Sequence, residues 1–136
     1  MKLAFALLCS VPLISCTASA EPNAHIVVQH SALAGFRYYA GRALWSEMRP
    51  GDPLTLVREP GNPHDAHAVR VEWRGQTIGY VARGDNMHLA RQLDHGVRLE
   101  ARVTRLDKSR NGRNRVSYEV LVPLDEAATV TAGESP

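Results

Sequence analysis

Glycine and proline recur at short intervals along residues 25–122, and this spacing restricts the chain to short structural elements. Turn-forming residues are grouped at 49–53, 59–65, 74–75 and 111–112. Each group favours a reversal of the chain, because proline fixes φ and glycine tolerates positive φ. Between the groups, apolar and polar side chains alternate, as in Val97 to Val103. This alternation is typical of half-buried strands and predicts a mainly β domain.

The pattern predicts about six strands: 25–30, which continues or restarts at 33–39, then 54–58, 66–73, 76–81, 97–103 and 116–122. A helical turn is expected at 41–47, with Trp45 packing inward. A helix is expected to begin at Asp85 or Asn86 and to end at Gly96. Its apolar side would be formed by Met87, Leu89, Ala90 and Leu93. Several short strands with one or two short helices indicate a small β-barrel, closed or partly open, because closure removes exposed strand edges.

The chain is long enough for one compact domain and carries little net charge. It has 136 residues, 44% of them hydrophobic, and its 16 Lys and Arg against 14 Asp and Glu give a charge of +2. These values exclude a histone-like polycation, an acidic tail protein and a multi-pass membrane protein.

The first twenty residues have the features of a secretory signal peptide. Lys2 precedes an apolar run at 3–14, and the segment ends in Ala18-x-Ala20. A second interpretation stays open, because Leu13-Ile14-Ser15-Cys16 resembles a lipobox in which Cys16 is lipidated. We therefore expect export, to the periplasm or outside the cell, after cleavage at Ala20, or membrane anchoring through Cys16. The remaining chain divides into a linker at 21–25, a domain at 26–122 and a disordered tail at 123–136.

Catalytic signatures and the usual metal-ligand spacings are not found in the sequence. Cys9 and Cys16 are the only cysteines, and both lie in the leader. A chain cleaved at Ala20 would have no disulfide, thiolate nucleophile or cysteine zinc ligand. His64-Asp65-x-His67 offers three ligand types, but on a strand the two histidines would lie on opposite faces. We find no G-x-S-x-G, P-loop or H-E-x-x-H motif, and we expect a protein that is not an enzyme and has no cofactor or metal.

Three segments together resemble the HIRAN domain family. They are Gly35-Phe36-Arg37-Tyr38-Tyr39, the run from Pro50 to Val69 that contains Leu56-Val57-Arg58-Glu59-Pro60-Gly61-Asn62-Pro63-His64-Asp65, and Ile78-Gly79-Tyr80-Val81. The resemblance covers residues 26–122, nearly all of the expected domain. It implies an OB-like β-barrel. In helicase-linked members the domain binds the 3′ end of single-stranded DNA as a recognition module and catalyses no reaction.

The resemblance also implies a binding site. By position, Arg37 and Tyr38 would face the nucleotide, and Asn62, His64 and Asp65 would form the opposite wall. His64 and His67 depart from the family, which commonly has Tyr and Asn at these positions.

End recognition requires three kinds of group, and the sequence supplies one of each. A base stacks on an aromatic ring such as Tyr38, a phosphate pairs with a guanidinium such as Arg37, and a terminal hydroxyl donates to a carboxylate such as Asp65. Purely structural roles stay open beside these. Asp65 can accept loop amides, Arg58 and Glu59 can form an ion pair that fixes the loop, and Tyr39 is assigned to the core.

The last hairpin carries a local excess of positive charge. Between residues 98 and 115, seven basic residues stand against Glu100 and Asp107, a local charge of +5. Candidate phosphate contacts are Arg105, Lys108, Arg110, Arg113 and Arg115. The alternative is a solvated hairpin tip whose charges serve only solubility.

Two functions follow from these observations. The first is a non-catalytic module that binds single-stranded DNA 3′ ends or other nucleic-acid ends. The alternative is an exported envelope module that uses the barrel pocket for another anionic ligand or a protein partner. A membrane partner is expected only if Cys16 is lipidated.

Overall fold

Six antiparallel strands close into a barrel in this computed structural model, which describes residues 24–111 and 113–124. The strands are β1 (His25–Ala34), β2 (Pro53–Arg58), β3 (Val69–Trp73), β4 (Gln76–Val81), β5 (Glu100–Asp107) and β6 (Arg115–Pro123). Around the barrel the order is β1-β4-β3-β2-β5-β6, and every neighbouring pair is antiparallel. The expected small, mainly β barrel is confirmed.

Alternation along the strands places apolar side chains inside the barrel. On β3, Val69, Val71 and Trp73 are buried, while the intervening Arg70 and Glu72 are half-buried. The same period operates on β6, where Val116, Tyr118 and Val120 are fully buried. Burial of these side chains supplies the main stabilisation of the barrel.

Short helical segments lie between β1 and β2 and between β4 and β5. They are α1 (Gly41–Leu44), α2 (Asn86–Asp94) and two single 3-10 turns, Phe36–Tyr38 and Trp45–Glu47. The predicted turn at 41–47 is confirmed, and Trp45 packs edge-on against Phe36 with ring centroids 5.6 Å apart. No helix within the described ranges has the length and apolar character needed to cross a membrane.

Helix α2 differs from its prediction in how it is oriented. Leu89 and Ala90 are buried as expected, but Met87 is 43% exposed and the polar Asn86 is buried instead. The carboxylate of Asp85, the residue before the helix, accepts a hydrogen bond from Ser31 Oγ at 2.7 Å and caps no backbone amide. Gly96 follows the helix with φ of +79°, as predicted for its C-terminal end.

Three predicted strands have ends that are wrong by three residues or more. Strand β1 ends at Ala34, and residues 36–38 form a 3-10 turn instead of extending the strand to residue 39. Strand β3 begins at Val69, because residues 66–68 belong to the preceding loop. Strand β5 runs from Glu100 to Asp107 instead of 97–103, so the alternation at 97–99 lies before the strand. The expected leader at 1–20, Cys16 within it, and most of the expected tail at 123–136 lie outside the described residues. Strand residues His25 and Pro123 fall within the expected linker and tail, respectively.

Candidate functional site

The turn after β1 exposes two adjacent tyrosines. Gly35 has φ of +76°, a conformation that glycine adopts without steric penalty. The chain then closes a tight turn in which the amide of Tyr38 donates to the carbonyl of Gly35 at 2.9 Å. Phe36 is buried and anchors this turn, whereas Tyr38 is 71% exposed.

The assignment of Tyr39 to the core is wrong. Tyr39 is 38% exposed, and its ring centroid lies 5.7 Å from that of Tyr80 at a tilt of 54°. The in-and-out argument for Tyr38 and Tyr39 assumed a strand, and a 3-10 turn does not alternate its side chains between two faces. Both rings are therefore available at the surface.

Facing this turn is a loop from residue 59 to 68, whose own side chains shape it. The Oδ1 atom of Asn62 accepts from the amide of His64 at 2.9 Å, and Oδ1 of Asp65 accepts from the amide of His67 at 2.9 Å. These are two successive Asx turns, in which a side chain replaces a backbone acceptor. They leave the side chain of His64 exposed.

Glu59 connects the loop to the barrel wall. Its carboxylate accepts from Asn62 Nδ2 at 3.1 Å, from the Tyr80 hydroxyl at 3.0 Å and from Arg70 Nη1 at 2.5 Å. The hydrogen bond from Asn62 is the largest cause that lowers the pKa of Glu59 below its usual 4.5, and those from Tyr80 and Arg70 act in the same direction. The loop is thus fixed to strands β3 and β4.

The suggested ion pair between Arg58 and Glu59 is wrong, because each residue pairs with another partner: Arg58 with Asp94 and Glu59 with Arg70. The Nε atom of Arg58 lies 3.0 Å from Asp94 Oδ1 on α2. The same guanidinium donates to the carbonyls of Ala66 and Ala68 at 2.7 and 3.2 Å. Arg58 therefore stabilises the far end of the loop.

Asp65 is held as a carboxylate at the surface of the loop. Its Oδ2 atom accepts from Nδ2 of the buried Asn86 at 2.7 Å and lies 3.9 Å from Nε of Arg83. The hydrogen bond from the amide of His67 is the main cause that lowers the pKa of Asp65 below its usual 3.8. Its side chain remains 20% exposed. The carboxylate of Asp65 is therefore an ionised hydrogen-bond acceptor with access to solvent.

The turn and the loop enclose an open cleft, which we call the Tyr38 cleft, of about 350 Å³. This volume lies in the range of about 300–1,000 Å³ that is usual for small-ligand sites. Four of the five residues predicted to contact a nucleotide line it: Tyr38, Asn62, His64 and Asp65. Among the other lining residues, the three with aromatic or charged side chains, Tyr39, Tyr80 and Arg83, were not predicted as contacts. Tyr80 belongs to the Ile78–Val81 segment, so its place in that motif was a usable signal, whereas nothing in the sequence marked Arg83.

Arg37, the fifth predicted residue, does not line the Tyr38 cleft. Its guanidinium lies 4.5 Å from the centroid of the Tyr38 ring and hydrogen-bonds to the Tyr38 hydroxyl. It lines a neighbouring depression of about 420 Å³, which we call the hairpin depression, together with Tyr38, Arg113 and Arg115. Tyr38 therefore forms a ridge between the cleft and this depression.

The five candidate phosphate contacts of the last hairpin differ in their ion pairing and in the depressions that they line. Arg105 is paired with Asp107 at 2.7 Å. Lys108, Arg113 and Arg115 line a further depression of about 450 Å³, which we call the tip depression. Arg110 is exposed and lines none of the three.

Aromatic faces, a carboxylate and a guanidinium therefore converge in the Tyr38 cleft. This set suits a ligand with a planar ring, a donor group and a negative charge. Within residues 24–111 and 113–124, no three His, Cys, Asp or Glu side chains come together as a metal site.

Several known proteins are similar to this chain. The chain is 32% identical over 102 residues to the SWI/SNF-related matrix-associated actin-dependent regulator of chromatin subfamily A member 3-like 1 of Arabidopsis thaliana, a match that covers 72% of the chain. The chain spans only 11% of the length of that relative.

Two crystal structures have similar folds. A protein from Lactobacillus plantarum is 30% identical with a TM-score of 0.61, and the match covers 73% of this chain and 97% of that one. The HIRAN domain of human HLTF is 20% identical with a TM-score of 0.55, and the match covers 78% and 86% of the two chains. The second likeness concerns the fold alone.

Residues 26–125 match the HIRAN domain family, a span that contains all six strands except the first residue of β1. The three sequence segments, the closed barrel and the family match agree, and the chain belongs to the HIRAN domain family.

Proposed function

We propose that this protein is a non-catalytic module that binds single-stranded DNA at its 3′ end, with the terminal nucleotide in the Tyr38 cleft. Family membership supports the general part of this proposal, that the protein binds nucleic acid. The recognition of 3′ ends rests on one observation: Tyr38 and Asp65 line the same cleft.

Base stacking supplies affinity that does not depend on sequence. A base stacked on an aromatic side chain contributes about 1–3 kcal/mol. Tyr38 has most of its surface exposed, and Tyr39 and Tyr80 add two ring surfaces to the same cleft. His64 is exposed as well, and its ring is smaller than that of the tyrosine that the family commonly has at this position.

Asp65 supplies the discrimination between a strand end and the interior of a strand. The terminal 3′ hydroxyl is a donor, and an ionised carboxylate accepts it through lone pairs that its present partners leave unused. An internal phosphodiester has no donor at this atom, and a 3′ phosphate would bring negative charge against Asp65. Since the pKa of Asp65 is lowered, this repulsion persists at neutral pH.

The cation inside the cleft is Arg83. Its Nη2 atom donates to the carbonyl of His64 at 2.9 Å, which holds the guanidinium beside Asp65. Arg37 approaches from the other side of the Tyr38 ring. A phosphate on the 5′ side of the terminal sugar would lie between these two positive groups.

A titration with three DNA probes tests the proposal. Fluorescence anisotropy at moderate salt should rank a single strand with a 3′ hydroxyl above the same strand with a 3′ phosphate, and both above a blunt duplex. Asp65→Asn should reduce the ratio between the first two probes, whereas Glu47→Gln, an equal charge change at an exposed residue that does not line the cleft, should leave it unchanged. Equal affinity for all three probes, or no binding, would refute end recognition.

We further propose that residues 1–20 direct export, with cleavage after Ala20. The apolar run at 3–14 and the small residues at 18 and 20 support this proposal. The ligand would then be DNA that enters or leaves the cell envelope.

A further inference from the structure

We propose that the hairpin depression is a second subsite, which binds the backbone phosphates of the nucleotides on the 5′ side of the terminal one. This inference rests on the proposed function for the polarity of the strand. It assigns Arg113 and Arg115 to phosphates outside the terminal nucleotide, with Arg37 at the junction of the two subsites. The protein would then bind several linked nucleotides.

The position of Tyr38 connects the two subsites. Its ring lines both the Tyr38 cleft and the hairpin depression, so a strand leaving the cleft past this ridge enters the depression directly. The guanidinium of Arg37 lies 4.5 Å from the ring centroid and covers one ring face. A base cannot stack on a covered face, whereas a phosphate can pair with the guanidinium that covers it.

Three basic side chains of the last hairpin form ion pairs with carboxylates, whereas others, among the residues that the structure describes, do not. Arg98, Arg102 and Arg105 are paired with Glu100, Glu119 and Asp107, respectively. Within the described residues, no carboxylate lies within salt-bridge distance of Arg37, Arg113 or Arg115. These three guanidinium groups surround one depression with no protein anion as partner, which suits an anionic ligand.

The arrangement favours a linear polyanion over a single small anion. Arg113 and Arg115 line the tip depression as well as the hairpin depression. Lys108 lines the tip depression too, together with Asp107, whose carboxylate is paired with Arg105. Cleft, hairpin depression and tip depression thus form a row in which each shares residues with the next. A row of cationic sites matches the regular spacing of phosphates along one strand.

The expected effect follows from counterion release. Each phosphate neutralised on a single strand contributes about 0.7 to the slope of log K against log salt. Loss of two such contacts should lower the slope by about 1.4 and, at about 0.1 M salt, weaken binding by roughly 10- to 30-fold.

Strands of two and eight nucleotides with a free 3′ hydroxyl provide the test. Each has one 3′ end, so any gain in affinity with length reports contacts beyond the terminal nucleotide. We expect the wild-type protein to bind the longer strand more tightly and Arg113→Gln/Arg115→Gln to lose most of that gain while it binds the dinucleotide normally. The matched control, Arg42→Gln/Arg91→Gln, removes the same charge from α1 and α2, away from all three depressions, and should keep the gain.

Two failures can be told apart by including the eight-nucleotide strand with a 3′ phosphate. If the wild type prefers the 3′ hydroxyl but the hairpin variant keeps the full gain with length, the second subsite is refuted and end recognition stands. If the wild type shows no end preference while the hairpin variant loses affinity, end recognition is refuted and only a phosphate-binding surface is left. Equal losses in the hairpin variant and the control refute the subsite as well, since net charge alone then explains the effect.

Discussion

The ring of Tyr38 lies at the surface because the residues before it fix the turn. Gly35 supplies the positive φ, and the buried Phe36 packs against Trp45. An exposed aromatic side chain contributes little to the stability of the folded protein. Substitutions of Tyr38 therefore separate binding from folding.

Tyr38→Ala should weaken binding to a single strand with a 3′ hydroxyl by about 1–3 kcal/mol, or about 5- to 150-fold, because one stacked base loses its platform. Tyr38→Phe keeps the ring and should retain most of the affinity. The melting temperature of both variants should stay close to that of the wild type. Anisotropy and thermal unfolding measure the two effects, and unchanged affinity in Tyr38→Ala would remove this residue from the site.

The resemblance grouped the residues that line the cleft better than it placed each side chain. Tyr38, Asn62, His64 and Asp65 line one cleft, as the resemblance implied. Arg37 does not, because the 3-10 turn directs it to the other side of the Tyr38 ring. Which way a side chain leaves a turn depends on φ and ψ, and the sequence alone does not determine these angles.

Among the elements, the loop at 59–68 depends on the ionised carboxylate of Glu59. Its folded-state pKa is below the usual 4.5, chiefly because of the hydrogen bond from Asn62. The stabilisation is therefore complete above about pH 4.5 and is lost as the pH falls through the lower folded-state value.

We expect Glu59→Gln to lower the melting temperature at pH 7, and the difference from the wild type should shrink at a second, acidic pH below 4.5, where the wild-type carboxyl becomes protonated. The exposed Glu47 provides the control, since Glu47→Gln should shift the melting temperature little and equally at both pH values. A difference between wild type and Glu59→Gln that does not vary with pH would show that the ionised form of Glu59 does not stabilise the loop.

Strands β1 and β4 pair beside the cleft and close the barrel there. Two residue pairs form this contact: Leu33 lies opposite Val81, and Ala34 lies opposite Tyr80. Gly79 allows this close approach. A Cβ atom at Gly79 would lie 2.4 Å from the carbonyl oxygen of Ala34 and 2.9 Å from Cγ of Leu33. Backbone cannot move aside as a flexible side chain can.

Gly79→Ala should consequently destabilise the fold by about 1–3 kcal/mol, which lowers the melting temperature by about 4–8 °C for each kcal/mol. Gly84→Ala is the matched control, because a Cβ at Gly84 meets no atom within 4 Å. Thermal unfolding by circular dichroism measures both variants. Equal stability of Gly79→Ala and the wild type would contradict the tight β1–β4 contact.

Periodicity identified the strands, but it misplaced the end of β1 and the start of β3, which lie next to the cleft, and both ends of β5. Alternation predicted β3 through Val69, Val71 and Trp73, which are buried. It also assigned 66–68 to that strand, where the amide of His67 bonds to the side chain of Asp65 instead. Hydrogen bonds from the side chains of Asn and Asp compete with strand pairing, and the alternation of apolar and polar residues carries no information about these bonds.

At the scale of the whole molecule, we propose that residues 1–20 are a leader that is cleaved after Ala20, and the alternative is lipidation at Cys16. We expect the mature protein, produced in a bacterium with its leader, to begin at Glu21, and Cys16→Ser should then leave the mature mass unchanged. Intact-mass spectrometry tests this. A mature chain that begins at Cys16 with an added lipid would contradict cleavage after Ala20.

The proposed role depends on where the terminal nucleotide binds, and amide chemical shifts report this position. A titration of the isotope-labelled protein with a 3′-hydroxyl dinucleotide should produce its largest shifts at Gly35–Tyr39 and at His64 and Asp65, the two walls of the Tyr38 cleft. Unchanged amides at these positions, with shifts confined to the hairpin at 107–115 or found nowhere, would contradict binding of a strand end in the cleft.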